Sequence, residues 1–166
     1  MDATHFHLVF THFPVIGILF GIAFLAVGII KKNSVQTKIS LITFVLIALF
    51  AIPVFLTGEG AEETVEQLAG VSENVIEEHE ELAEIAIWVI ELLGVFSLLG
   101  LITTYKKVSL SKVVNIITLI TALSAFGIIA KVSNLGGQIR HTEIRKDFDK
   151  SVNNTDSQDH DNGDDH

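Results

Sequence analysis

Histidine is the residue type whose placement invites chemistry in this chain. Outside the last sixteen residues there are five, His5, His7, His12, His79 and His141, and a neutral imidazole is a ready ligand for iron, copper or zinc. Cysteine is absent, which removes disulfides, thiolate metal sites, iron–sulfur ligation and covalent haem attachment through this chain. Any metal must therefore use histidine or oxygen. Three of the histidines, His12, His79 and His141, are far apart in sequence, yet each falls near the same end of an apolar run. A helical bundle that gathers those ends would hold iron, as haem b through two axial imidazoles, or non-haem iron, copper or zinc through two or three histidines and a carboxylate.

The elements that would gather them are transmembrane helices. Hydrophobic residues make up 49% of the 166 and mean hydropathy is +0.50, too apolar for a soluble domain of this size. Four runs reach the roughly 18 or more residues that cross a hydrocarbon core about 30 Å thick. They are 8–30, 39–57, 82–105 and 113–135, and they predict an all-α fold, a four-helix up-down-up-down bundle embedded in a lipid bilayer. The first run has no Lys or Arg before it, so it reads as an uncleaved span rather than a signal peptide. Residues 1–142 form the membrane domain and 143–166 a polar acidic tail. From Ser151 the tail is too polar to offset its ordering entropy and is expected to be disordered. Its Asp159, Asp161 and Gly163 resemble part of a calcium loop that lacks the closing acid. The connection 58–81 is expected to carry helical turns over Ala61–Ala69 and an N-cap at Ser72.

Lys31, Lys32 and Lys38 lie between spans one and two, and Lys106, Lys107 and Lys112 between spans three and four, so these loops are expected on the cytoplasmic side. Ten glutamates and no lysine occupy 59–84, which places that connection and both termini outside, on the periplasmic side of a bacterial inner membrane. Arg140, Arg145, Lys146 and Lys150 oppose this orientation, and the lysine-free N-terminus decides it. The histidine ends then lie at the outer face. A net charge of −9 argues against nucleic acid as a partner.

Within span three, Val75, His79, Leu82, Ala86, Val89 and Leu93 follow a bundle-facing seam, with Glu77, Glu78, Glu80 and Glu81 flanking His79 in solvent. His12 is favoured over His5 and His7 because it lies deeper in span one, and His7 points to a different face. Gly136 and Gly137 either cap span four or let a flat ligand approach its backbone, and Arg140 is placed to pair with a haem propionate beside His141. Lys131 is expected to pair with Glu84 across spans three and four. Glu91 is a deeper acid, equally a candidate to accept a proton, to meet a partner subunit or simply to stay protonated. Thr118, Thr121 and Ser124 are expected to bond backbone or neighbouring helices rather than carry chemistry.

The segments THFPVIG (11–17), TGEGAE (57–62), EEHEELAEIA (77–86) and NLGGQI (134–139) resemble the motifs of an uncharacterised bacterial membrane-protein family, domain of unknown function 2231, over residues 5–142. The resemblance implies a four-span membrane protein whose motif histidines are His12 and His79, in a family associated with redox proteins. Residues and resemblance together favour a b-type cytochrome-like electron-transfer subunit, with His79 ligating haem iron alongside His12 or, alternatively, His141. Its partner would be a redox protein or quinone at the outer face, where Phe6, Phe10, Phe13 and Phe55 could line a cavity, and a homo-oligomer is compatible. A non-haem metal protein and a cofactor-free assembly subunit are the competing classes.

Overall fold

In the computed structural model, residues 7, 9–58, 60–61 and 72–140 are described, the side chain of Arg140 excepted. Four long helices hold most of them: α1 (His12–Ile30), α2 (Ser34–Leu56), α3 (Glu73–Tyr105) and α4 (Ser111–Arg140). No strand occurs among the described residues. All four helices are long and apolar enough to cross a bilayer. Between 28% and 39% of each helix's apolar window is buried inside the bundle, so most of that apolar surface points outward, where only lipid solvates it. The expected turns over Ala61–Ala69, Ala61 apart, and the expected tail lie outside the described residues.

Helix ends follow from local chemistry. The Asn33 side chain accepts from the backbone N–H groups of Val35 (3.1 Å) and Gln36 (3.2 Å), capping α2. Lys32 and Lys107 take left-handed backbone, φ 52° and 51°. Each stands just past a helix end, and the next residue's N–H returns to the last turn, Asn33 to Gly28 O (2.9 Å) and Val108 to Thr103 O (3.1 Å). Ser72 occupies the N-cap of α3 but makes no side-chain cap bond.

Each helix packs on its neighbours in sequence, and α1 closes the ring against α4. α1 and α3 therefore face one another diagonally. The buried face of α3 is Ile76, Ala86, Ile90, Leu93, Gly94, Ser97 and Gly100, a seven-residue repeat in which His79 is half-buried. The expected seam shares Ala86 and Leu93 with it, whereas Val75, His79, Leu82 and Val89 are half-buried. Small residues turn inward alongside large ones such as Leu25, Phe44 and Leu93, since lipid and core are equally hydrophobic and close backbone approach distinguishes the buried face. A Cβ at Gly28 would lie 2.7 Å from Thr37 Oγ1 and 2.9 Å from its backbone nitrogen, and one at Gly94 would lie 2.6 Å from the Ala48 methyl. Also between α1 and α2, Ser40 donates to Gly21 O at 2.6 Å.

Candidate two-histidine site

The buried positions of α1 are Pro14, Ile18, Gly21, Leu25 and Gly28. Stepping back from Pro14 by the same three and four residues reaches Thr11 and then His7. His7 is half-buried, while His12 is exposed. Depth favours His12, yet its ring is exposed: a five-residue offset turns a helix by about 500°, so the two rings point to different faces, and the half-buried one is His7.

His7 Nδ1 lies 2.9 Å from Val54 O. That carbonyl belongs to the last turn of α2, where no intrahelical N–H follows to claim it, and Thr57 Oγ1 shares it at 2.9 Å. On the diagonal helix His79 Nδ1 lies 3.0 Å from Val132 O of α4. Val132 precedes Gly136 by one turn, and a side chain at position 136 would cover this carbonyl. A Cβ at Gly136 would lie 3.3 Å from His79 Cε1, and one at Gly58 would lie 3.5 Å from His7 Cε1. The rings are within electrostatic reach of one another. One end of the bundle thus assembles a site from all four helices: His7 beside α1, Val54 of α2, His79 of α3, and Val132 and Gly136 of α4.

Both hydrogen bonds have the same chemical consequence. A carbonyl only accepts, so each Nδ1 carries the proton and donates, and Nε2 of the neutral ring holds the lone pair. Metal-ligating histidines are commonly held this way, the second nitrogen fixed by a carbonyl that sets tautomer and aim. Glu77, Glu78, Glu80 and Glu81 surround His79 in exposed positions and bias the site toward cations. No group of three or more His, Cys, Asp or Glu able to hold a metal occurs among the described residues.

Two further expectations change. Gly136 and Gly137 do not cap α4, which runs on to Arg140; Gly136 seats His79, and a Cβ at Gly137 would meet nothing within 4 Å. Lys131 pairs with Glu78 at 3.1 Å rather than with Glu84. His79 lies level with Val132, which puts Glu84 more than a turn deeper, and the lysine stem extends toward the aqueous end. Glu84 instead borders a groove with Glu91. Thr118, Thr121 and Ser124 do bond carbonyls four residues back, at 2.9, 3.0 and 3.2 Å. His5 and His141 lie outside the described residues, as does the Arg140 side chain. The chain matches no family model, no curated protein and no solved structure.

Proposed function

We propose that the chain is a b-type cytochrome-like membrane subunit that holds haem iron between His7 and His79 and carries electrons at one membrane face. The observation that supports it is the pair of matched Nδ1–carbonyl bonds, 2.9 and 3.0 Å, which leave an Nε2 lone pair on each ring. Haem suits this donor set because the porphyrin supplies four nitrogens and asks the protein for two. Zinc asks for three or four protein ligands. Arg140 is the last residue of α4, and its guanidinium is the proposed partner of the propionates. Haem, when bound, supplies a one-electron couple; the protein's part is to fix the ring tautomers and to exclude bulk from the glycines at 58 and 136.

In the membrane the four helices run up-down-up-down, with the lysine turns cytoplasmic and the histidine end and both termini on the outer side of a bacterial inner membrane. Exposed Trp88 and Tyr105 (76% and 63%) mark the two interfaces. Seventeen residues of helix between them span about 25 Å, close to the hydrocarbon thickness. His79 then stands about 13 Å beyond Trp88 along α3, among headgroups and within reach of an external redox partner. Membership of the domain-of-unknown-function 2231 family belongs to the same proposal.

The test is purified protein from haem- and metal-replete cells. We expect a Soret band and near-stoichiometric haem in wild type, and neither in a folded His79→Ala variant. Wild type carrying zinc or copper without a Soret band would move the site to the non-haem class, and wild type with neither would leave the histidines structural.

A further inference from the structure

The lysines divide unevenly between the two ends of the bundle. Lys131 stands toward the histidine end and meets Glu78. Lys31, Lys32, Lys38, Lys106, Lys107 and Lys112 gather where α1 runs into α2 and α3 into α4. No acidic residue occurs between Asp2 and Glu59 or between Glu91 and Glu143, and about 22 Å of helix separates Glu91 from Lys106. The described residues therefore supply no carboxylate to this end. Lys38 ties the two lysine groups together. It is half-buried on α2, and its Nζ lies 4.1 Å from the centroid of the Tyr105 ring on α3, which Lys106 and Lys107 follow directly. The contact turns the Lys38 charge toward α3 and concentrates positive charge on the α2–α3 edge, an unfavourable gathering without a counter-ion. Lys107 also holds a left-handed backbone, φ 51°, which glycine would adopt with less strain; the chain keeps a charge there nonetheless.

We propose that Lys38, Lys106 and Lys107 bind the phosphate of an anionic phospholipid at the α2–α3 edge. The counter-ion must come from outside the chain, because no carboxylate of the described residues reaches this end. It must lie at the level of Tyr105, which is 63% exposed and of the residue type that settles at the membrane–water interface. Ammonium groups at that level meet the phosphates of the surrounding leaflet. Lys38 stands about 7 Å deeper along α2 than Asn33, a depth that a lipid phosphate reaches from the side and a soluble polyanion does not reach from above. A zwitterionic headgroup brings its own ammonium to a site that already holds three, whereas phosphatidylglycerol brings only negative charge. Each lysine near an anionic surface is worth roughly fivefold in affinity, so three account for a preference on the order of a hundredfold. The proposal needs no haem and holds whichever leaflet the lysine end faces.

Binding is read by native mass spectrometry of the purified full chain in dodecyl maltoside, titrated with dioleoyl phosphatidylglycerol or dioleoyl phosphatidylcholine. We expect phosphatidylglycerol to bind at least roughly tenfold more tightly, and this preference to fall below about threefold in Lys38→Gln/Lys106→Gln/Lys107→Gln. Lys131→Gln, at the other end, keeps the wild-type preference. Tyr105→Leu retains every lysine but releases Lys38, and the preference should drop at least roughly threefold. Glycerol phosphate, the same anion without acyl chains, competes at least roughly tenfold less well than the lipid. Circular dichroism and monodispersity report the fold; should the triple variant fail to fold, Tyr105→Leu carries the test. Equal binding of the two lipids overturns the proposal, as does a full preference in the folded triple variant. An unchanged preference in Tyr105→Leu would show that the number of charges alone attracts the lipid, and equal competition by glycerol phosphate would make the ligand a free phosphate; either result overturns it.

Discussion

The two ends of the bundle differ in which side chains cross between helices: imidazoles reach main-chain carbonyls at one end, while at the other Asn115 crosses to the Thr104 hydroxyl at 3.3 Å and other threonine hydroxyls bond locally. At the lysine end, Thr37, Thr103 and Thr118 donate to carbonyls three or four residues back on their own helices, glycines bring backbones into contact, and two short turns close the chain. Lys38 lies 4.1 Å over the Tyr105 ring, a contact suited to an interface. At the histidine end, His7 and His79 cross to carbonyls 47 and 53 residues away. A local bond quiets a hydroxyl and aims it nowhere, whereas a bond to a neighbouring helix fixes the direction of the ring. The first kind builds a membrane bundle; the second is what a ligand requires.

Over-packing the lysine end should give the largest effect. Gly28→Leu forces a side chain against the Thr37 backbone, and we expect a loss of about 3 kcal/mol or more in unfolding titrations with sodium dodecyl sulfate. Whatever protein remains folded should keep its haem content, since the insult is remote from the rings. Haem loss in the folded fraction would show that the two ends are not separable.

At the opposite end, Gly136→Leu should do the reverse. A side chain there meets His79 Cε1 and closes the approach to Val132 O, so haem retention should fall at least tenfold, roughly 1.4 kcal/mol, with little change in the unfolding midpoint. Gly137→Leu enters open space and serves as the neutral control. Equal behaviour of the two variants would remove Gly136 from the site.

The smallest effect belongs to the ion pair that borders the histidine end. Lys131 and Glu78 are 60% and 52% exposed, so Lys131→Glu should cost only about 0.5 kcal/mol. Adding Glu78→Lys should recover part of it, and adding Glu84→Lys should recover none. Rescue by the Glu84 change instead would contradict the register of α3 on α4.

The spans, the lysine turns and the inward place of His79 were all legible in the sequence, because hydropathy, charge and the position of His79 in its helix each carry a direct physical signal. Rotation of the helices was less so. Val75, Leu82 and Val89 are as apolar as Ile76 and Ile90, and in lipid an apolar residue has no preferred side. The small residues Ala86, Ser97 and Gly100 were the better guide to the buried face. The same signal would have found His7, since Gly28, Gly21 and Pro14 set a seven-residue step that leads back to it. Depth along the span, which favoured His12, carries no information about which way a ring points. The Lys131 partner was misread for a related reason: proximity in depth was judged by sequence distance from the span end, and the register of α3 against α4 appears only when both helices are placed.

The central claim is that His7, not His12, joins His79 at the iron, and it is tested most directly by haem content per folded chain in His7→Ala and His12→Ala prepared side by side. The account predicts loss of the Soret band in His7→Ala and a wild-type band in His12→Ala. A band that survives in His7→Ala and disappears in His12→Ala would contradict it.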